Sequence, residues 1–261
     1  MMDLDGQVAI VTGAASDIGA AIAVALAGQG ADLALIGRRA EALRPVAAEV
    51  QAQGRRAEVL TCDLTEGAQV TRMVAEVHVL FSNRIDTLVN AAGGTGGLGV
   101  PVWELTESEF NRVLAVNLTA SFLTMAAVLP AMIARRSGRI INIGGTYGMR
   151  GRAGRAAYSA AKWGLRGLTK SAALEAGPFN ITVNCVSPGM VEGPRFDEAA
   201  TDAAVRGNVS MGEAKTRMEE AYALRRISTP KDVAQAVVFL AGLGGRQMTG
   251  QDLVVDGGWV I

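Results

Sequence analysis

The chain has 261 residues, 25 basic and 25 acidic side chains, one histidine (His78), two cysteines (Cys62 and Cys185) and 32 glycines. Zero formal charge without a basic block excludes a phosphate-neutralising surface for nucleic acid. A composition of 49% apolar and 19% charged residues excludes disorder. One His and two Cys make neither a Cys/His zinc centre nor a disulfide framework, so no metal is expected. The length fits one α/β domain over residues 1–261. The start, Met1 to Gly6, carries no basic segment followed by an apolar one, and a cytoplasmic location is expected.

Taken in chain order, seven short runs are nearly continuous in apolar residues: Val8–Val11, Leu33–Ile36, Val59–Thr61, Thr87–Asn90, Arg139–Ile143, Ile181–Val186 and Leu253–Val255. Continuity, rather than alternation, marks strands buried on both faces of a parallel sheet. Helical patterns lie between them near 18–29, 40–53, 66–82, 106–134, 156–177 and 230–242. The alternation predicts a doubly wound open sheet of about seven parallel strands with helices on both faces. The uncharged stretch Val113–Ala134 is long enough to span a bilayer. Asn117, Thr119, Ser121, Thr124 and Pro130 within it favour instead a buried helix with part of its face against another subunit, and no membrane is expected. Residues 191–228 are more polar and contain Gly193, Pro194, Gly207 and Gly212; they read as an irregular insertion after a strand end, where substrate lids sit.

The first strand runs directly into Thr12-Gly13-Ala14-Ala15-Ser16-Asp17-Ile18-Gly19 and then an Ala-rich helix. A glycine loop in that place turns backbone N–H groups and the positive helix end toward a pyrophosphate. The loop resembles the T-G-x-x-x-G-x-G loop of the short-chain dehydrogenase/reductase family. Further matches follow in order: Asp63 after the third strand, Asn90-Ala91-Ala92-Gly93 after the fourth, Asn117 in a helix, Tyr158-Ser159-Ala160-Ala161-Lys162, Pro188-Gly189 after the sixth strand, and Val255-Asp256-Gly257-Gly258 near the end. The ordered set covers essentially the whole chain.

The resemblance implies a Rossmann domain that interconverts a ketone and a secondary alcohol with NAD(P). It implies cofactor contacts from Gly13, Ser16, Asp17, Ile18, Gly19, Asp63, Leu64, Asn90, Ala91, Ala92, Gly93, Pro188, Gly189 and Val191, and from Tyr158 and Lys162. Tyr158 would act as general acid and base, with the Lys162 ammonium lowering its pKa. Asn117 would hold a water in the proton path to Lys162. At the end of the second strand, Gly37-Arg38-Arg39 stands where a carboxylate would select NAD. Guanidinium groups suit a 2′-phosphate, so NADP(H) is favoured, with NAD(H) as the other option.

Three departures stand out. Asp17 replaces the middle loop glycine and is expected to cap the following helix. Gly193 stands where the family often has a Thr. Gly145 stands thirteen residues before Tyr158, where a Ser usually binds the substrate oxygen, and Thr146 is the nearest hydroxyl in sequence. Arg150, Arg152 and Arg155 suggest an anionic small-molecule substrate. The alternatives are a 3-ketoacyl-thioester reductase, with Arg135 and Arg136 meeting an acidic carrier, a lyase or epimerase, and a non-catalytic nucleotide sensor. A homotetramer is expected. The apolar faces of 106–134 and 156–177 would pair at one twofold, and the end Trp259-Val260-Ile261 would lie at a second.

Overall fold

The computed structural model describes residues 3–94, 96 and 99–260. Ile261, assigned above to an interface, lies outside them. Seven strands, β1 (Val8–Thr12), β2 (Asp32–Gly37), β3 (Ala57–Thr61), β4 (Thr87–Asn90), β5 (Gly138–Ile143), β6 (Ile181–Pro188) and β7 (Asp252–Val255), form one sheet in the order β3-β2-β1-β4-β5-β6-β7. Every pairing is parallel. The apolar runs are continuous because successive side chains enter different cores. Ala9, Val11, Leu33 and Leu35 face one side, under α1 (Asp17–Gly28), α2 (Ala40–Ala52) and α9 (Pro230–Ala241). Val8, Ile10, Ala34 and Ile36 face the other, under α3 (Gly67–Leu80), α5 (Ala120–Arg135) and α6 (Ala156–Ala176).

The expected helix over 106–134 is three segments in one run: α4 (Glu107–Leu114), a π-helical turn (Ala115–Thr119) and α5. The run Glu107–Arg135 is long and apolar enough to cross a membrane, with a mean hydropathy of 1.8 over its 18-residue window. In this fold its inner residues Ala120, Met125, Val128 and Met132 complete the second core.

Residues 191–228 are not irregular. They form α7 (Pro194–Gly207) and α8 (Met211–Glu220). Both start on ordinary helix signals: Pro194 at the first position, and Ser210, whose side chain accepts from the Glu213 N–H. Their polarity reflects narrow buried stripes, Phe196, Ala200 and Ala204 on α7 and Ala214 on α8. Phe196, Tyr222 and Ile227 close a small third core. The segment read from the sequence as a lid is therefore helical.

Candidate active site

The strand order reverses between β1 and β4, which opens a crevice at their C-terminal ends. The loop after β1 is held close to the β4 loop. A Cβ at Gly13, whose φ is +64°, would lie 2.7 Å from the Ala92 Cα, and one at Gly19 would lie 2.2 Å from the Gly13 carbonyl oxygen. Only glycine permits both approaches, which leave the backbone bare toward the crevice. Thr12, the first residue of the motif, ties the two strand ends. Its hydroxyl donates to the Val89 carbonyl at 3.4 Å and accepts from the Ala92 N–H at 3.2 Å. This bare cradle at a helix N-terminus fits a dinucleotide pyrophosphate.

Ser16, not Asp17, caps α1. Its Oγ accepts from the Gly19 N–H at 3.1 Å and donates to the Gly13 carbonyl at 2.9 Å. Asp17 is the first helical residue, and its carboxylate faces Gly193. A Cβ at Gly193, whose φ is +128°, would meet Asp17 Oδ2 at 2.7 Å. The two departures at 17 and 193 are thus spatially coupled: the carboxylate occupies the space that a side chain at 193 would need.

Other cofactor residues divide by orientation. Asn90 turns inward, donating to Asn142 Oδ1 at 2.9 Å and accepting from the Thr124 hydroxyl at 2.7 Å. Leu64 belongs to the second core. A cofactor contact from either falls to the backbone. Ala91, Ile18 and Val191 keep partial exposure, and Arg38 and Arg39 are exposed. Asp63 does not cap α3. Its Oδ1 accepts from the Thr65 hydroxyl at 2.7 Å and the Thr65 N–H at 3.0 Å, and these bonds, with the nearby Arg38 charge, hold its pKa below the usual value. Beyond β6, the Gly189 N–H donates to the Val255 carbonyl at 3.1 Å, which fixes the Pro188-Gly189 turn over β7.

Tyr158 and Lys162 both project from the first turns of α6. Lys162 is buried, 4% exposed, and its ammonium donates to the Ile143 carbonyl at 2.9 Å. Burial pulls its pKa down to about 8. Burial pushes the Tyr158 phenol up, against the Arg195 and Arg155 charges, which pull it down. The Lys162 ammonium lies 5.6 Å from the Tyr158 ring centroid, held by its bond to the Ile143 carbonyl. Asn117 sits in the π-helical turn, a common device at functional sites. It accepts from the Gly94 N–H at 3.2 Å and donates to the Gly94 and Val113 carbonyls at 2.8 and 2.9 Å.

Gly145 faces Tyr158. A Cβ there would lie 3.6 Å from the phenolic oxygen, ordinary contact, although its φ of +155° favours glycine. Thr146 is buried at the start of a short 3₁₀ turn, and no hydrogen bond joins its side chain to Tyr158. Of the three loop arginines, Arg150 stacks on Trp259 at 4.8 Å, and Arg152 covers Tyr147 and donates to its hydroxyl. Arg155 lines the cleft with Val100, Leu105, Val113 and Tyr158. Trp259, placed at an interface by the sequence, packs in its own chain against Tyr147 at 5.7 Å and Tyr222 at 6.1 Å. Arg195 was missed. The signal available was a cation in the first turn of the lid, two residues beyond its hinge glycine.

The family model described as short chain dehydrogenase matches residues 7–204. The chain is 37% identical to the uncharacterized oxidoreductase YxjF of Bacillus subtilis (strain 168), over 97% of this chain and 98% of that one. Its fold is similar to a solved actinorhodin polyketide ketoreductase with NADPH, with a TM-score of 0.92 and 37% identity over 99% of each chain. It is also similar to an NAD+-bound xylitol dehydrogenase, with a TM-score of 0.90 and 33% identity over 98% of this chain and 99% of that one. With its reversed sheet, bare glycine cradle and Tyr158–Lys162 pair, the chain belongs to the short-chain dehydrogenase/reductase family, enzymes that act on CH–OH groups with NAD(P).

Proposed function

We propose that this enzyme interconverts a ketone and a secondary alcohol on an anionic small molecule, with Tyr158 as general acid and base. The observation that carries the reading is Tyr158 itself, partly exposed to the cleft, beside a buried Lys162 and two flanking guanidinium groups. NAD(P), once held here, would supply or accept a hydride. Gly13, Gly19 and the α1 N-terminus receive the pyrophosphate, and Lys162 holds ribose hydroxyls. Tyr158 gives its proton to the carbonyl oxygen in reduction and takes one from the alcohol in oxidation. Asn117, already anchored on Gly94, holds the water that links Lys162 to solvent. A panel of hydroxy acids, cyclic alcohols, sugars and acyl thioesters, followed by reduced-nicotinamide absorbance with both cofactors, tests the reading. Absence of turnover across all four classes would overturn it.

Thr146 supplies the substrate-oxygen hydroxyl that Gly145 lacks. Loss of such a donor costs about 10²–10³ in rate, so Thr146→Val should reduce kcat by at least ~10-fold. An unchanged kcat would leave Gly145 a true gap in the oxyanion site. NADP(H) is the preferred cofactor because Arg38 and Arg39 are exposed and no ion pair occupies either among the described residues. Arg38→Asp should shift the ratio of kcat/KM values toward NAD(H) by at least ~10-fold, since a carboxylate accepts from ribose hydroxyls and repels a 2′-phosphate. An unchanged ratio would make Arg38 a bystander.

The 3-ketoacyl-thioester alternative is weaker, because Arg135 pairs with Asp86 at 2.9 Å and Arg136 covers Phe179. The assembly proposed is a cytoplasmic homotetramer, acting without membrane or nucleic acid. Phe122 on α5 and Trp163 and Leu174 on α6 are 50%, 50% and 82% exposed, apolar surface of the sort that subunit contacts cover. Light scattering should give about four times the 27.1 kDa chain mass. A monomer mass would refute the assembly.

A further inference from the structure

We propose that Arg155 and Arg195 form a grip from opposite walls of the cleft, and that the grip seats a carboxylate-like substituent of the substrate beside the carbon attended by Tyr158. The proposal rests on the ketone–alcohol reading above and names the residues that recognise the anion.

Arg195 lies just beyond the lid hinge, Gly193-Pro194, in the first turn of α7. Its Nη2 donates to the Gly93 carbonyl at 3.4 Å, so the side chain spans from the lid to the end of β4. A Cβ at Gly93 would lie 2.9 Å from Asn117 Oδ1 and 3.8 Å from Lys162 Nζ. Arg195 is exposed, and its bond to the Gly93 carbonyl holds the guanidinium at the solvent rim of the catalytic floor. Arg155 comes from the other wall, directly before α6, and lines the same cleft as Tyr158. Its guanidinium is partly desolvated, which disfavours its charge.

Among the described residues, neither arginine belongs to any of the ion pairs, which engage Arg55, Arg56, Arg84, Arg112, Arg135, Arg166, Lys215 and Arg217 instead. Arg150 and Arg152 of the adjoining loop are held on Trp259 and Tyr147. The Glu198 carboxylate acts on Arg155 from a distance, but no carboxylate pairs directly with either guanidinium among the described residues, which leaves room for an external anion. Guanidinium forks match the two oxygens of a carboxylate, sulfonate or phosphate. Both guanidinium charges also pull the Tyr158 phenol down, against the burial that pushes it up. With no side chain at Gly145, this grip supplies the orientation that a hydroxyl there would otherwise share.

The same guanidinium chemistry could serve a cofactor phosphate, and the experiment separates the two. Calorimetry would measure binding to the full-length protein saturated with NADP+. The probes are three acid and methyl-ester pairs: acetoacetate, cyclohexanecarboxylate and benzoate, each against its ester. At least one acid should bind ~10-fold or more tightly than its ester. Arg195→Gln and Arg155→Gln should each reduce that preference to near unity, with NADP+ affinity within about 3-fold of the native value. Arg155→Lys, which keeps the charge and loses the fork, should retain part of the preference. Equal binding of acids and esters in all three pairs overturns the grip. So does a preference that survives both Gln variants, or an Arg195→Gln variant that loses NADP+ affinity alone. Failure of the underlying reading shows elsewhere, as absent turnover of neutral and charged alcohols alike.

Discussion

Replacing Tyr158 by Phe is expected to reduce turnover by at least ~10²-fold while dinucleotide binding stays within about 2-fold of native. The substitution removes one hydroxyl. The ring keeps its edge-on contact with Tyr147, 6.1 Å between centroids, so the cleft wall survives. The pyrophosphate cradle, Gly13 to Gly19 with its Ser16 cap, is built from other elements and is untouched. Steady-state absorbance gives the rate, and quenching of protein fluorescence by the dinucleotide gives the affinity. Because burial raises the Tyr158 pKa above the usual phenol value, the base form gains population only as the solution becomes alkaline. Alcohol oxidation by the native enzyme should therefore climb with pH, and the residual rate of Tyr158→Phe should lack that limb. Full activity in the variant would dismiss Tyr158 as the proton carrier.

How far the sequence foretold this site depends on what each residue type does locally. All seven strands were legible, because sheet residues covered on both faces must be apolar at every position, and a run of Val, Ile and Leu can do little else in a chain of this kind. The tyrosine, the lysine and the glycine loop were legible because their spacing is tied to helix pitch and to close backbone contact. The lid helices were not, because only one narrow stripe of each is buried and the rest resembles a polar loop. The cap was assigned to Asp17 rather than Ser16, a shift of one residue that sequence cannot resolve when both types cap well.

The relation of Asp17 to Gly193 was out of reach for a different reason. The residues are 176 positions apart in sequence, and only the folded crevice brings the Asp17 carboxylate to Gly193. The same holds for Arg195, whose bond to the Gly93 carbonyl joins residues 102 positions apart. Residues that act within one element declare themselves by periodicity. Residues that meet across a cleft declare themselves only once the sheet order is known.

Lys162→Met should abolish turnover, by at least ~10²-fold, and yet leave the cofactor-free protein at least as stable as native at pH 7. The lysine is 4% exposed, and its pKa is pulled down to about 8, first by burial and further by the Arg195 charge, with Cys185 acting in the opposite sense. An unfolded chain holds the same proton up to about pH 10.4. Between these values the unfolded state binds more protons than the folded state, so native stability rises with pH across that window. Below about pH 8 the whole penalty is present, about 3 kcal/mol at 1.36 kcal/mol per pKa unit. The bond to the Ile143 carbonyl is already included in the folded lysine, and its loss in the variant leaves that oxygen short of a donor, at about 1–3 kcal/mol. The two effects nearly cancel at pH 7, which is why equal or slightly greater stability is expected there. At pH 10.5 the native protein has shed its penalty while the variant has gained nothing, so the order should reverse. Urea unfolding at pH 7 and pH 10.5, with the midpoints compared between native and variant, reads this directly. A stability difference that is the same at both pH values would mean that the buried amine carries no proton-linked cost, and the account of how this site holds its charged lysine would fail.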